Sequence, residues 1–182
     1  MMTRPTPEQL AAARDRAIPE VIAPDLDVVF CGINPSLYSG ATGHHFARPG
    51  NRFWPALHRS GFTPRQLRAD EQHLLLDFGL GITNLVNRAT ARADELSADE
   101  LRAGAARVTA LARQYRPRVI AMVGITAYRT AFGNRHARVG PQPERIADAH
   151  VWVLPNPSGL NAHYQIDDLA AEFRALRESL GR

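Results

Sequence analysis

The sequence predicts an α/β domain of three layers, an αβα sandwich in which helices cover both faces of a mostly parallel sheet. Short runs of β-branched and aromatic residues, bounded by turn residues, are typical of buried parallel strands, and the clearest are 27–32, 118–124 and 151–154. Segments with helical spacing of apolar residues separate these runs. Strands that alternate with helices favour this architecture. With 182 residues, of which 45% are hydrophobic, the chain is long enough for one substantial core.

In the first half of the chain, a helix is predicted over residues 7–16, followed by a linker with several prolines. A buried strand over 27–32 comes next. The following stretch, 33–50, is crowded with Gly, Pro, Ser, Asn and His, and it is too long for an idle connection, so we expect a functional loop there. Asn51 can cap a helix that runs to Gly61, and Thr63 with Pro64 predicts a second helix toward residue 76.

In the second half, a capping box at Ser97 and Glu100 predicts a helix start, and an apolar stripe continues the helix to Tyr115. A polar loop, 87–95, precedes that box. The remaining predicted elements are strands over 81–86, 118–124 and 151–154, and helices over 126–132 and 166–180.

Composition excludes several kinds of chemistry. All 22 basic residues are Arg, so no lysine Schiff base and no phosphate-loop lysine can form. Cys31 is the only cysteine, which excludes an intrachain disulfide, a Cys-rich zinc site and a cysteine-ligated iron–sulfur cluster. His44 and His45 lack a third suitably spaced ligand, so no metal is expected. We find neither a signal-peptide pattern nor an apolar run of membrane-spanning length, and a cytoplasmic protein is expected.

Two similar motifs follow two predicted strands. One is Gly32-Ile33-Asn34-Pro35-Ser36 after the first strand, and the other is Asn156-Pro157-Ser158-Gly159-Leu160 after the last. Asn-Pro beside small residues bends the backbone and leaves N–H groups free to face a ligand. Ligands of open α/β sheets bind beyond the carboxyl ends of the strands, so both motifs are candidate site loops.

These motifs resemble the mismatch-specific uracil-DNA glycosylases. The similarity rests on residues 28–35, Thr42-Gly43, Phe46-Ala47, Pro49, 51–54 and 153–160, in that order. It extends from about Ile22 to the last helix, which predicts a catalytic domain over 21–182 and an N-terminal extension over 1–20. The resemblance implies a uracil-DNA glycosylase-like fold and a monofunctional enzyme without a cofactor. Such an enzyme flips uracil, preferentially opposite guanine, and related damaged pyrimidines out of duplex DNA and hydrolyses the N-glycosidic bond in base excision repair.

The resemblance also implies roles for the first motif and the loop after it. Asn34 would orient the attacking water, Phe46 would stack on the flipped base, and the turn after Pro35 would supply N–H donors to the departing pyrimidine anion. Gly32, Ile33 and Pro35 would complete the base pocket. Ser36 stands where the family commonly has Gly, and it would either narrow the pocket floor or add a contact to the base. Ser39 would lie near the pyrimidine C5 edge.

Asp94 is a second candidate for activating the water. It follows a predicted strand, and a carboxylate is a better base than the amide of Asn34. A solvent-facing residue near a helix start is the alternative interpretation. The sequence leaves open which of the two residues acts.

The second motif would be the wedge that fills the gap left by the flipped base. Leu160 would be the plug, and Asn156, Pro157, Ser158, Gly159 and Asn161 would contact DNA around it. Ala162 stands where family members often have a basic residue, so this contact to the opposite strand is absent from the motif. Arg48, Arg52, Arg88 and Arg92 would contact phosphate if their loops face DNA.

The expected partner is therefore double-stranded DNA that contains uracil or a mismatched or damaged pyrimidine, and a monomer would suffice. A DNA-damage or mismatch-binding module with weak or no catalysis is the alternative. The sequence does not decide whether thymine, ethenocytosine or single-stranded uracil is accepted.

Overall fold

Five strands form the central sheet of the computed structural model, which describes residues 3–182; the first two residues of the predicted extension lie outside this range. The strands are β1 (Val28–Gly32), β2 (Leu80–Asn84), β3 (Val119–Val123), β4 (Gly140–Ile146) and β5 (Ala149–Leu154). Their order across the sheet is β2-β1-β3-β5-β4. Every neighbouring pair is parallel except β4 and β5, which are antiparallel. The predicted mostly parallel sheet is confirmed.

Six α-helices and two 3₁₀ helices connect the strands. The α-helices are α1 (Pro7–Ala12), α2 (Leu37–Thr42), α3 (Phe53–Arg59), α4 (Ala98–Tyr115), α5 (Ile125–Phe132) and α6 (Ile166–Ser179), and the 3₁₀ helices span Ala69–Phe78 and Ala93–Glu95. The capping box predicted for α4 is present, because the Ser97 hydroxyl accepts from the Glu100 N–H while the Glu100 carboxylate accepts from the Ser97 N–H. Among residues 3–182, no helix is both long and apolar enough to cross a membrane.

Alternate residues of the strands face two separate cores, which makes the domain three-layered. Val28 and Phe30 of β1 pack with Phe53 of α3 and Phe173 of α6. On the opposite face, the intervening strand residues pack against α4 and α5. Because both faces of the sheet are covered, the inner strands are apolar along their whole length, and that continuity is what made them visible in the sequence.

The structure differs from the predictions at three elements in the first half of the chain. Helix α1 ends at Ala12 and not at Arg16, because Asp15 adopts a left-handed backbone with φ of 67°. The helix predicted from Pro64 is wrong: the Thr63 hydroxyl donates to the Arg65 carbonyl and holds a turn there, and a 3₁₀ helix begins only at Ala69. The loop 33–50 contains the short helix α2, which starts at the Ser36 cap.

Strand β4 was not predicted, and its sequence explains why. It reads Gly-Pro-Gln-Pro-Glu-Arg-Ile, and its middle residues face solvent. Two prolines and a polar surface argue against a strand in a sheet interior. They are tolerated here because β4 is an edge strand with an irregular register between Gln142 and Arg145.

The segment just before β1 docks on the outer edge of β2. Val21 exchanges two backbone hydrogen bonds with Ile82, of 3.0 and 2.8 Å. The Asn87 side chain accepts from the Ile18 N–H and donates to the Ile18 carbonyl, both at 2.9 Å. The division of the chain at residue 20 stays a prediction, but the residues on both sides of it are held against the sheet.

Candidate active site

A cavity of about 580 Å³ opens at the carboxyl ends of the parallel strands, where the α/β fold places ligands. Of the predicted site residues, it brings together Ile33, Asn34, Pro35, Ser36, Ser39, Phe46, Asp94, Asn156, Ser158 and Leu160. The other predicted residues, Gly32, Pro157, Gly159 and Asn161, are adjacent in sequence to lining residues but do not line the cavity.

The Asn34 amide is held in one orientation. Its Nδ2 donates to the Arg88 carbonyl and the Thr90 hydroxyl, both at 2.8 Å, and to the Pro35 carbonyl at 3.2 Å. The two carbonyls can only accept, so the NH₂ group must face them and Oδ1 must face away. In residues 3–182, no protein donor bonds to that oxygen. Asn34 therefore lines the cavity with an amide whose oxygen is fixed in orientation and open to a ligand or water.

The Ser36 and Ser39 hydroxyls both bond to backbone near the cavity. Ser36 caps α2 by accepting from the Ser39 N–H at 3.0 Å. Ser39 is buried and accepts from the Ala47 N–H at 3.2 Å. The serine at position 36, where the family commonly has glycine, thus stabilises the start of α2 and the turn after Pro35.

Phe46 presents an aromatic face to the cavity under backbone strain. Its φ is 52°, a left-handed value that is unusual for an aromatic residue. The ring stacks on Phe53 with centroids 4.1 Å apart and an angle of 18° between the planes. Strained non-glycine residues cluster at ligand sites, because the surrounding structure must hold them in place. One face of Phe46 is thus supported from the core, and the residue also lines the cavity.

Asp94 lies at the cavity mouth and is exposed. Its side chain is 76% accessible and forms an ion pair of 3.0 Å with Arg92, which is 74% accessible. Both belong to the loop that ends in the 3₁₀ helix Ala93–Glu95. The carboxylate can reach a bound substrate only from the solvent side.

The wedge loop, residues 156–161, projects Leu160 into solvent. Leu160 is 78% exposed, the one large hydrophobic side chain so exposed in residues 3–182. Three hydrogen bonds brace the loop internally: Ser158 N–H to Asn156 Oδ1, Asn161 Nδ2 to the Asn156 carbonyl, and Leu160 N–H to Ser158 Oγ. An exposed leucine on a braced loop beside a cavity is a feature of a surface that inserts into a partner.

Arg52 holds the wedge loop from beneath. Its guanidinium donates to the carbonyls of Ser158 at 2.7 Å, Asn161 at 3.1 Å and Pro157 at 3.4 Å, and also to that of Tyr164. Its own backbone N–H donates to the Pro157 carbonyl at 2.9 Å. Four of the five guanidinium N–H groups of Arg52 are thus used within the protein, which argues against the predicted phosphate contact.

Arg88 is also committed within the protein. It forms ion pairs with Asp15 at 2.7 Å and with Glu100 at 3.0 Å. Of the four predicted phosphate contacts, Arg48 and Arg92 remain candidates, because both are exposed and both line the cavity.

Sequence reasoning missed Thr90, which holds the Asn34 amide, and two further polar residues of the site. Asn84, the last residue of β2, is buried and lines the cavity, and Arg107 donates to its backbone oxygen from behind. His45 is buried beside it, with its Nδ1 at 3.3 Å from Asn84 Nδ2. The sequence signal for Asn84 was its polar amide within the predicted strand 81–86; in the structure it pairs in register with Gly32 at the same end of the sheet. His45 had none beyond its histidine neighbour.

Burial sets the protonation of two groups close to the site. It lowers the pKa of His45 to about 4, so the ring is neutral near pH 7. It raises the pKa of the Cys31 thiol to about 12, so no thiolate is available at the end of β1. Within the described part of the chain, no three His, Cys, Asp or Glu side chains lie close enough to hold a metal ion.

Comparisons with known proteins identify a family and a similar fold. A model of the Uracil DNA glycosylase superfamily matches residues 19–180. The fold is similar to the solution NMR structure of a protein from Methanosarcina acetivorans that is described provisionally as a uracil DNA glycosylase. The TM-score is 0.59 at 19% identity, over 90% of this chain and 98% of that one.

Proposed function

Because the chain belongs to the uracil DNA glycosylase superfamily, a group of hydrolases that act on DNA, we propose that it excises uracil flipped from duplex DNA, preferentially opposite guanine. Related damaged pyrimidines are further proposed substrates, and the product is an abasic site. One observation carries the proposal: the Asn34 amide is fixed by three acceptors, no protein donor in residues 3–182 bonds to its Oδ1, and the residue lines a cavity that Phe46 also lines.

The reaction needs a positioned water and a stabilised leaving group. As the N-glycosidic bond breaks, the sugar gains oxocarbenium character and the pyrimidine leaves as an anion. Asn34 Oδ1 accepts a hydrogen bond from the water and aims its lone pair at the sugar, but an amide is a weak base, so a slow enzyme is expected. The N–H groups of the turn from Pro35 into α2 are the proposed donors to the anion.

Asn84 is the proposed reader of the pyrimidine edge. Its amide carries both an acceptor and donors, as does the edge of uracil that includes N3–H and the O4 carbonyl. It is buried and close to Phe46: a Cβ built on Gly32 would lie 2.5 Å from Asn84 Oδ1 and 3.3 Å from the Phe46 ring. A base stacked on Phe46 would therefore have its edge near the Asn84 amide.

Leu160 is the proposed plug. A flipped base leaves a gap in the duplex, and filling that gap with an apolar side chain lowers the free energy of the flipped state. Its exposure and the bracing of its loop suit insertion without rearrangement. Arg48 and Arg92 are the proposed phosphate contacts around it.

Whether Asp94 can act as a base depends on whether its carboxylate can leave its ion pair with Arg92 and reach the substrate. The carboxylate is a stronger base than an amide, yet it pairs with Arg92 and faces solvent. We assign the water to Asn34 and keep Asp94 as the alternative base, to be separated from it by mutation.

The deciding experiment measures abasic-site formation. The purified protein is incubated in EDTA with labelled duplexes carrying U·G, U·A or T·G, and alkali then cleaves the abasic sites. We expect product from U·G first, and a loss of at least about a hundredfold in Asn34→Ala. The matched control for Asp94→Ala is Asp99→Ala, since Asp99 is also an exposed carboxylate paired with an arginine, 2.6 Å from Arg102.

The outcomes separate the alternatives. If abasic-site formation is lost only in Asp94→Ala and is unchanged in Asp99→Ala, activation of the water is assigned to the Asp94 carboxylate. If the wild-type protein binds uracil-containing duplex but makes no abasic site at any pair, the chain is a damage-binding module and the hydrolase proposal fails.

A further inference from the structure

His45 is buried, and each of its polar groups has a partner. The backbone N–H donates to Gln72 Oε1 at 2.8 Å, and the backbone carbonyl accepts from Trp54 Nε1 at 3.1 Å. Ring Nε2 lies 2.7 Å from the Pro19 carbonyl, and ring Nδ1 lies 3.3 Å from Asn84 Nδ2. The ring is held at both nitrogens and the backbone at both of its polar groups, so the side chain has no freedom to turn.

The Pro19 carbonyl fixes the donor and acceptor roles in both hydrogen bonds of the ring. The Pro19 carbonyl can only accept, so the His45 proton must reside on Nε2. The ring is neutral near pH 7 because burial lowers its pKa, so Nδ1 is a bare acceptor. The Asn84 amide must therefore turn its NH₂ group toward His45. An acceptor in the segment before β1 thus sets which way an amide in the cavity faces.

The orientation of a carboxamide decides which pyrimidine it can read. Uracil presents a donor at N3 and an acceptor at position 4, whereas cytosine presents an acceptor at N3 and a donor at position 4. An amide that pairs with one base must turn over to pair with the other. The two orientations have nearly the same shape, so a neighbouring group is needed to choose between them.

We propose that His45 is a positioning residue that locks the Asn84 amide in one orientation and thereby makes the cavity select uracil over cytosine. This inference rests on the proposed uracil excision. The contact at Gly32 supports it. A Cβ built on Gly32 would lie 2.5 Å from Asn84 Oδ1, so the Asn84 oxygen occupies space that only a glycine at position 32 leaves open. With the amide locked, cytosine would set donor against donor and acceptor against acceptor, and buried mismatches of that kind reject a ligand strongly.

The test compares His45→Leu with His45→Gln. Leucine fills a similar volume without an acceptor, so Asn84 is free to turn over. Glutamine can donate to Pro19 through its NH₂ group and accept from Asn84 through its oxygen, which restores the same direction. The matched control is His58→Leu, since His58 also bonds a backbone carbonyl, that of Thr63 at 3.2 Å, and does not line the cavity.

The readout is the ratio of single-turnover excision rates for C·G and U·G duplexes. We expect this ratio to rise about tenfold or more in His45→Leu through loss of one directed hydrogen bond, and to stay near the wild-type value in His45→Gln and His58→Leu. A merely structural role would lower both rates together and leave the ratio unchanged, and that result would overturn the inference while leaving the proposed function intact.

Two further outcomes are decisive. Wild-type protein that makes no abasic site at U·G would overturn the proposed function and this inference together. If His45→Leu fails to fold, the imidazole ¹⁵N spectrum of the wild-type protein answers instead: a proton on Nε2 supports the locked orientation, and a proton on Nδ1 overturns it.

Discussion

Replacing Arg52 by lysine should loosen the wedge loop without removing its charge. The guanidinium donates to four carbonyls between residues 157 and 164, and an ammonium on a flexible stem can retain at most about two of those bonds. A hydrogen bond to a charged group contributes about 1.5–3 kcal/mol, and partial exposure of this loop lets water replace some of the loss. We therefore expect a destabilisation of about 2 kcal/mol.

That value predicts two measurements. Thermal unfolding should shift down by roughly 4–8 °C for a chain of this size. Single-turnover excision from U·G should fall by up to about thirtyfold, because DNA binding must now order a loop that is ordered in advance in the wild-type protein. The control is Arg48→Lys: the Arg48 side chain is exposed and makes no hydrogen bond within residues 3–182, so the unfolding temperature of this variant should match that of the wild-type protein.

Leu160→Ala tests whether the ordering of the wedge loop by Arg52 affects excision through the Leu160 side chain. If Arg52 acts by placing Leu160, Arg52→Lys should have little further effect on excision when Leu160 is already alanine. Full additivity of the two substitutions, or an Arg52→Lys protein with wild-type stability and rate, would refute the reasoning.

Three further predictions concern residues in and around the cavity. Thr90→Val removes one acceptor that fixes the Asn34 amide, so excision should fall about five- to tenfold while Thr90→Ser stays near the wild-type rate in the same single-turnover assay. His45 has a pKa of about 4 in the folded protein and 6.5 when unperturbed, so the unfolded chain binds more protons between these two pH values. The free energy of unfolding should therefore be highest above pH 6.5 and decline by on the order of 3 kcal/mol toward pH 4. Urea titrations should show that the free energy of unfolding of His45→Gln depends less on pH. Cys31 is buried with a raised pKa, so its thiol should react with a thiol-specific reagent only when the protein unfolds, and rapid labelling of the folded protein would contradict this.

The parts of the fold that could be predicted from sequence are those whose residues share one environment. Strands β1 and β3 are buried on both faces, so each is a continuous apolar run bounded by turn residues. Strand β4 has a mixed environment, and its prolines carry the opposite signal. The turn at Thr63 depends on a single side-chain hydrogen bond, which no periodicity reveals.

The candidate site divides in a similar way. Asn34 and Leu160 stand in motifs at the ends of predicted strands, so the sequence indicated both. The role of Arg52 in holding the wedge loop could not be predicted, because the carbonyls to which it donates lie more than 100 residues further along the chain. The contact between His45 and Asn84 joins residues 39 apart, and its direction is set by a third segment. Spacing identifies residues near a strand end, whereas the partners that orient them depend on the tertiary fold.

The cavity and the wedge are held at a fixed separation by backbone contact. A Cβ at Gly159 would lie 2.8 Å from the Gly50 carbonyl, so the wedge loop and the loop that carries Phe46 meet with no side chain between them. Arg52, two residues after Gly50, donates to the Ser158 and Asn161 carbonyls of the wedge loop. A movement of Leu160 therefore shifts the loop that supports Phe46. Since the plug must fill the duplex gap while the base stacks on Phe46, a rigid link lets a single docking event satisfy both requirements, and less free energy of DNA binding is spent on ordering the protein.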